Sequence, residues 1–129
     1  MVVVDSSVWI DAFTGRTTRE TSFLKTLLGR EFVAVGDLIL TEVLQGFDRD
    51  AEFSRAKSLF DGFDCFEMCG YDIALASARN YRLLRRQGVT VRKTIDVIIA
   101  TFCIEHSHVL LHSDHDFDRM REPLSLVTL

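Results

Sequence analysis

Five acidic side chains stand where they could act together: Asp5, Glu42, Asp96, Asp114 and Asp116. Asp5 ends the run Val2-Val3-Val4, whose β-branched residues read as a short strand buried on both faces. Asp5-Ser6-Ser7 then offer cap residues for a helix carrying Val8, Trp9, Ile10 and Phe13, and as an N-cap Asp5 would have a purely structural role. Asp96 falls in the first turn of Ile95–His106, a segment apolar almost all round. Asp114 and Asp116 follow another apolar run, Val109–Leu111, and Glu42 interrupts the apolar helix Leu38–Gly46 one turn beyond Leu38. Converging carboxylates repel and raise one another's pKa unless a cation compensates. An all-oxygen set without Cys or His suits Mg²⁺ or Mn²⁺ rather than zinc. Two such ions about 4 Å apart can activate a water and stabilise a leaving oxygen in phosphodiester cleavage. Each acid also has a plainer reading. Asp5, Asp96 and Asp114 could complement helix dipoles, Ser113 with Asp116 resembles a capping box, and Glu42 could be solvated.

The elements that would position these acids alternate in kind. Strands are expected at Val2–Val4, Phe32–Val35, Cys65–Met68 (weak), Val109–Leu111 and Leu124–Val127. Between them fall helical patterns: Thr18–Leu28 closed by Gly29, Leu38–Gly46 capped by Asp37, and Asp50–Phe63 with Phe53, Ala56, Phe60 and Phe63 on one stripe. Tyr71–Gln87 follows, stopped by Gly88, then Ile95–His106 with Thr94 as cap, then a short helix from Ser113 that Pro123 ends. Alternating strands and helices imply an α/β fold: a three-layer α/β/α sandwich with a mainly parallel sheet of about five strands and about seven helices. The most apolar strand, the first, should lie centrally. In such a sheet strand ends and helix N-termini gather on one edge, where ligands bind. Asp5, Asp96 and Asp114 can meet there, with Glu42 leaning in from a neighbouring helix.

The 129 residues are 47% hydrophobic with ten Phe and one Pro, which fits one domain spanning 1–129. No apolar run approaches the roughly 20 residues that span a bilayer, and Val2–Val4 lacks the flank and length of a signal peptide. Cys65, Cys69 and Cys103 form no C-x-x-C pair and leave one over, against a disulfide framework or a zinc site. A cytoplasmic location without membrane contact is expected. The net charge of −4 argues against nonspecific nucleic-acid binding over the whole surface, yet the charge is unevenly spread. Arg79, Arg82, Arg85, Arg86, Arg92 and Lys93 form a stretch without a single acid.

Four segments occur in order: Val2-Val3-Val4-Asp5-Ser6-Ser7, Leu40-Thr41-Glu42-Val43-Leu44-Gln45-Gly46, Thr94-Ile95-Asp96-Val97-Ile98-Ile99-Ala100 and Leu110-Leu111-His112-Ser113-Asp114-His115-Asp116-Phe117. Together they resemble the PIN domain, specifically the VapC-type toxins of bacterial toxin–antitoxin pairs. The resemblance spans essentially the whole chain. It implies an Mg²⁺- or Mn²⁺-dependent endoribonuclease in which Asp5, Glu42, Asp96 and Asp114 form the acidic quartet. Asp116 matches a further acid near the metals, and Ser6 and Thr94 match hydroxyls that hydrogen-bond around the acids. Many members carry Thr or Ser where this chain has His112, so hydrogen bonding around the acids is expected to differ there.

Hydrolysis at such a site would give a 5′-phosphate and a 3′-hydroxyl. Arg92 and Lys93, just before Thr94-Ile95-Asp96, are the candidate RNA-phosphate contacts, with Arg86 behind them on its helix. Cations in a helix's last turns equally serve its dipole. The family resemblance further implies a cognate antitoxin laid into an apolar groove, and a homodimer. Trp9, Phe13, Phe23 and Leu27 are candidates for that groove, although core is their default reading. A receiver-like phosphotransfer domain fits poorly, because Asp5-Ser6 and Phe66-Glu67-Met68-Cys69 lack its acids. A non-catalytic PIN-like RNA-binding or scaffold module would predict losses in the quartet, and there are none.

Overall fold

The computed structural model describes residues 1–30 and 32–129. Its strands are β1 (Val2–Val4), β2 (Val33–Gly36), β3 (Cys65–Phe66) and β4 (Val109–Leu111). The helices are α1 (Ser6–Phe13), α2 (Arg19–Leu28), α3 (Asp37–Leu44), α4 (Asp50–Phe60), α5 (Tyr71–Arg86), α6 (Thr94–Glu105), α7 (His115–Asp118) and α8 (Arg121–Leu124). The strands form one parallel sheet in the order β3-β2-β1-β4. Val3 pairs with Ala34 on one side and Leu110 on the other, so β1 is interior as its composition demands. From β1 the chain steps outward through β2 and β3, then returns to add β4 on the opposite side. With right-handed crossovers this sends α1 to α4 over one face and α5 and α6 over the other. The order reverses between β1 and β4, and a crevice opens there outside the carboxyl ends of the strands.

The sheet has four strands among the described residues, not five. Leu124 closes α8, and Pro123 lies inside that helix instead of ending α7. A proline is tolerated in a first turn because its missing N–H would have had no partner there. Ser125 then takes a left-handed conformation (φ 59°) that redirects the chain. What remains of the fifth strand is a single parallel bridge, Leu110 to Thr128, with Leu110 N donating to Val127 O and Leu129 N to Leu110 O, both at 3.0 Å.

Three helix ends also differ from expectation. α4 stops at Phe60, and Gly62 and Phe63 fold back in turns onto Leu59 O and Phe60 O. Gly36, not Asp37, precedes α3. The Asp37 carboxylate instead accepts from Leu38 N (2.8 Å) and from Met68 N (3.0 Å), tying the segment after β3 to the start of α3. Thr94 opens α6 instead of capping it.

The core lies between sheet and helices and includes Val3, Val4, Val8, Trp9, Ile39, Ile99, Leu110, Leu111 and Phe117. The Trp9 ring meets Phe60 edge-on at 4.9 Å and stacks on Phe13 at 6.3 Å. Of the four groove candidates, Trp9 and Leu27 are buried, Phe13 is half-buried and Phe23 is exposed. The all-apolar reading of α6 holds, since most of its residues from Asp96 to Cys103 are buried. Among the described residues, no helix is long and apolar enough to cross a membrane.

Candidate active site

Parallel pairing of β1 with β4 sets Asp5 and the Ser113-Asp114 turn side by side, and Asp5 N donates to Leu111 O at 2.9 Å. Asp5 caps α1. One of its oxygens, Oδ2, accepts from Ser7 N (3.0 Å) and from Ser7 Oγ (2.6 Å). The other, Oδ1, is buried without a partner. Burial raises the Asp5 pKa despite the bonds from Ser7 and Ser6, and Asp114 adds to the rise.

Asp96 enters from the first turn of α6, with Oδ2 also buried and unpartnered. Burial, then the charges of Asp5, Asp114 and Glu42, push its pKa up to about 7, while Lys93 works against them. Glu42 reaches in from α3 and accepts from Ser6 Oγ at 3.2 Å. Its pKa is raised by burial first and by Asp5 next. The charge of Asp114 thus raises the pKa of each of Asp5, Glu42 and Asp96, and Asp5 acts on the other two.

Asp114 caps α7, its Oδ1 accepting from Asp116 N at 2.9 Å. Asp96, Asp114 and Asp116 each offer an oxygen within 4.8 Å of the others. Asp116 differs in having cations of its own. Arg119 pairs with Oδ1, and Arg92 Nε lies 3.9 Å from Oδ2.

These residues fit a hard divalent cation. The donors are all carboxylate oxygens from separate segments, and two of the buried oxygens, on Asp5 and Asp96, have no hydrogen bond from the protein. An unpaired buried acid is costly, and a cation removes that cost. Ser6, as expected, bonds within the quartet. Thr94 is exposed and lines a groove between α5 and α6 with Ser77, Tyr81 and Val97. Arg92 and Lys93 are exposed beside the acids, and Arg86 is exposed in the last turn of α5. His112 is buried at the strand end, its ring on Phe117 (5.2 Å) and Nε2 3.6 Å from Asp118 Oδ1.

Two residues escaped the sequence reading. Ser7 holds Asp5 through an Asx-type bond two residues on, a pattern that Asp5-Ser6-Ser7 does advertise. Arg119 stands three residues after Asp116, the spacing of a helical ion pair, but α7 is too short for periodicity to reveal it.

A sheet with acids converging at its switch point defines a class, and comparison with known proteins agrees with it. The chain belongs to the PIN domain family, whose pattern matches residues 2–123. Ribonuclease VapC11 of Mycobacterium tuberculosis is 30% identical over 120 residues, covering 92% of this chain and 90% of that protein. A VapC ribonuclease of Mycobacterium bovis matches equally well. Among solved structures, VapBC2 from Rickettsia felis bound to a DNA fragment from its promoter superposes with a TM-score of 0.80 at 14% identity, over 100% of this chain and 98% of that one. VapBC-1 from nontypeable Haemophilus influenzae gives 0.72 at 18% identity, over 100% and 97%. These two establish likeness of fold.

Proposed function

We propose that this chain is a metal-dependent endoribonuclease and the toxin of a toxin–antitoxin pair, acting in the cytoplasm. The observation that carries the reading is the pair Asp5 and Asp96: both buried, the charge of Asp5 raising the pKa of Asp96, and each with an oxygen left unpartnered. Ribonuclease is the activity named for the curated relatives at 30% identity.

Asp5, Glu42, Asp96 and Asp114 would hold Mg²⁺ or Mn²⁺, with Asp116 alongside. Such an ion, when bound, supplies activation of water and neutralisation of charge on the phosphate oxygens. The chain's own groups do the rest. Ser7 fixes Asp5 with Oδ2 turned to its own hydroxyl and N–H, which leaves Oδ1 free of hydrogen bonds. Ser6 steadies Glu42, and Lys93 offsets part of the repulsion around Asp96 and Glu42. Arg92, Lys93 and Arg86 would hold the RNA backbone, whose charge they complement. A partner antitoxin is inferred from the fold neighbours named as VapBC, and a homodimer is the expected assembly.

The test is cleavage of a cellular RNA pool by purified protein in Mg²⁺, Mn²⁺ or EDTA, beside an identically purified Asp96→Asn variant. Cutting that needs the metal, leaves 5′-phosphates and vanishes in the variant is the expected result. Ends bearing 2′,3′-cyclic phosphates would overturn the mechanism. Absence of cleavage by antitoxin-free protein would leave a non-catalytic RNA-binding module.

A further inference from the structure

The two arginines at Asp116 come from separate parts of the chain. Arg92 lies in the segment before α6, and Arg119 ends α7. Arg119 hydrogen-bonds one oxygen and Arg92 Nε stands 3.9 Å from the other, on one carboxylate that is 3% exposed. One carboxylate cannot engage every donor of two guanidiniums, so N–H donors are left over. The side chains themselves run outward, Arg92 82% exposed and Arg119 48%. With Ser7, Ser113 and Asp114 they line a cleft of about 540 Å³. Asp114 belongs to both the cleft and the acid cluster, so the two spaces adjoin. The acid at the rim, Asp118, is turned to His112 (3.6 Å) and His115 (3.3 Å). A guanidinium carries five N–H donors in a planar fork, and an anchor on one edge leaves donors for a second oxyanion.

We propose that Arg92 and Arg119, anchored on Asp116, form a subsite for the RNA phosphate next to the scissile one. The proposal rests on the ribonuclease reading and deepens it. Asp116, whose carboxylate also stands beside Asp96 and Asp114, gains a second role in positioning two arginines over the cleft, and Arg119 becomes a substrate contact. Arginines already ordered by a buried acid lose less freedom when they bind phosphate.

The experiment reads binding without cleavage: fluorescence anisotropy of a fluorescein-labelled single-stranded RNA of mixed sequence, with the full chain in EDTA, over a salt series. Each lost phosphate contact should flatten the slope of log K against log salt by about 0.7 for a single strand. Arg92→Ala and Arg119→Ala are each expected to do so, whereas Arg49→Ala, at the start of α4, leaves the slope unchanged. Asp116→Asn keeps both charges but frees the side chains, so binding should weaken about two- to tenfold with the slope intact. A purely structural Asp116 would not separate affinity from slope in this way. Should Arg119→Ala fail to fold, Asp116→Asn/Arg119→Met removes the pair together and should flatten the slope alike. Unchanged slopes in the arginine variants, or no RNA binding by the wild type at low salt, overturn the subsite. Unchanged slopes beside intact metal-dependent cleavage would sink the subsite alone. Flattened slopes in a protein that cuts no RNA would sink the ribonuclease reading instead.

Discussion

Asp5, Asp96 and Asp116 are buried to the same depth, 3% exposed each, yet the protein treats them in opposite ways. Around Asp116 the chain supplies two cations of its own, from the segment before α6 and from the end of α7. Around Asp5 and Asp96 it supplies other acids, and Lys93 opposes them only in part. Burial alone therefore does not mark a binding site. An acid that is buried, unpaired and pushed toward protonation by like neighbours does, because the folded chain bears a cost there that an external cation removes.

The sharpest way to break this contrast is to make the same substitution on both sides of it. Asp96→Asn should lower RNA cleavage by about 10²–10³-fold, the scale for losing one electrostatic group at a reaction centre. In EDTA its melting temperature should equal or exceed that of the wild type, since a repelled charge is gone. A marked fall in metal-free stability would make Asp96 structural. Added Mn²⁺ should raise the melting temperature of the wild type and leave the variant nearly unmoved.

The pH dependence sharpens the same point. The folded chain holds the Asp96 proton up to about 7, whereas the unfolded chain releases it near the ordinary 3.8. Unfolding thus releases protons, and this share of stability is complete below the lower value and lost as pH rises through the higher. Asp5 and Glu42 are raised in the same sense. In EDTA the urea midpoint of the wild type should fall between about pH 5 and about pH 8, and Asp96→Asn should flatten that fall. A wild-type midpoint that rises across this range would mean the acids are not repelling one another in the folded chain.

Smaller effects fall to the partners. Asp116→Asn should lower metal-free stability by about 1–2 kcal/mol, because a charged hydrogen bond is lost and the half-exposed Arg119 recovers part of it in water. A fall in Asp116→Asn beside no fall in Asp96→Asn is the signature of the contrast. Ser7→Ala should cost about 1 kcal/mol and slow cleavage about tenfold, the scale for a group that orients a metal ligand. Its pH–rate profile should move to higher pH, because the Ser7 bonds hold the Asp5 pKa down. A profile that keeps its shape and position would reduce Ser7 to a packing role.

Much of this arrangement was legible in the sequence because it depends on local signals. Val2–Val4 and Val109–Leu111 are apolar runs cut short by polar residues, so their acids could be assigned to strand ends before any coordinates. The buried α6 likewise follows from composition, whereas the bond of Ser6 to Glu42, 36 residues away, was foreshadowed only by the family resemblance. Illegible were features settled by distant contacts or by competition between weak signals. Leu124–Val127 has the composition of a strand, but the turn at Ser125 leaves only Thr128 in register with Leu110. Asp37 looked like a cap, and no sequence rule gives it Met68 N as a second donor from 31 residues away. The pairing of Arg92 with Asp116 joins the segment before α6 to helix α7, which only the fold brings together.

The pairing of β1 with β4 sets a timetable for the nascent chain. Asp5 is synthesised well before Asp114, and parallel strands with intervening helices join late because the loop between them must close. No amino-terminal fragment that stops short of β4 can hold Asp5 beside Asp114. A translation product interrupted before β4 therefore lacks the assembled acid cluster, which is completed only once β4 and the turn after it have been made.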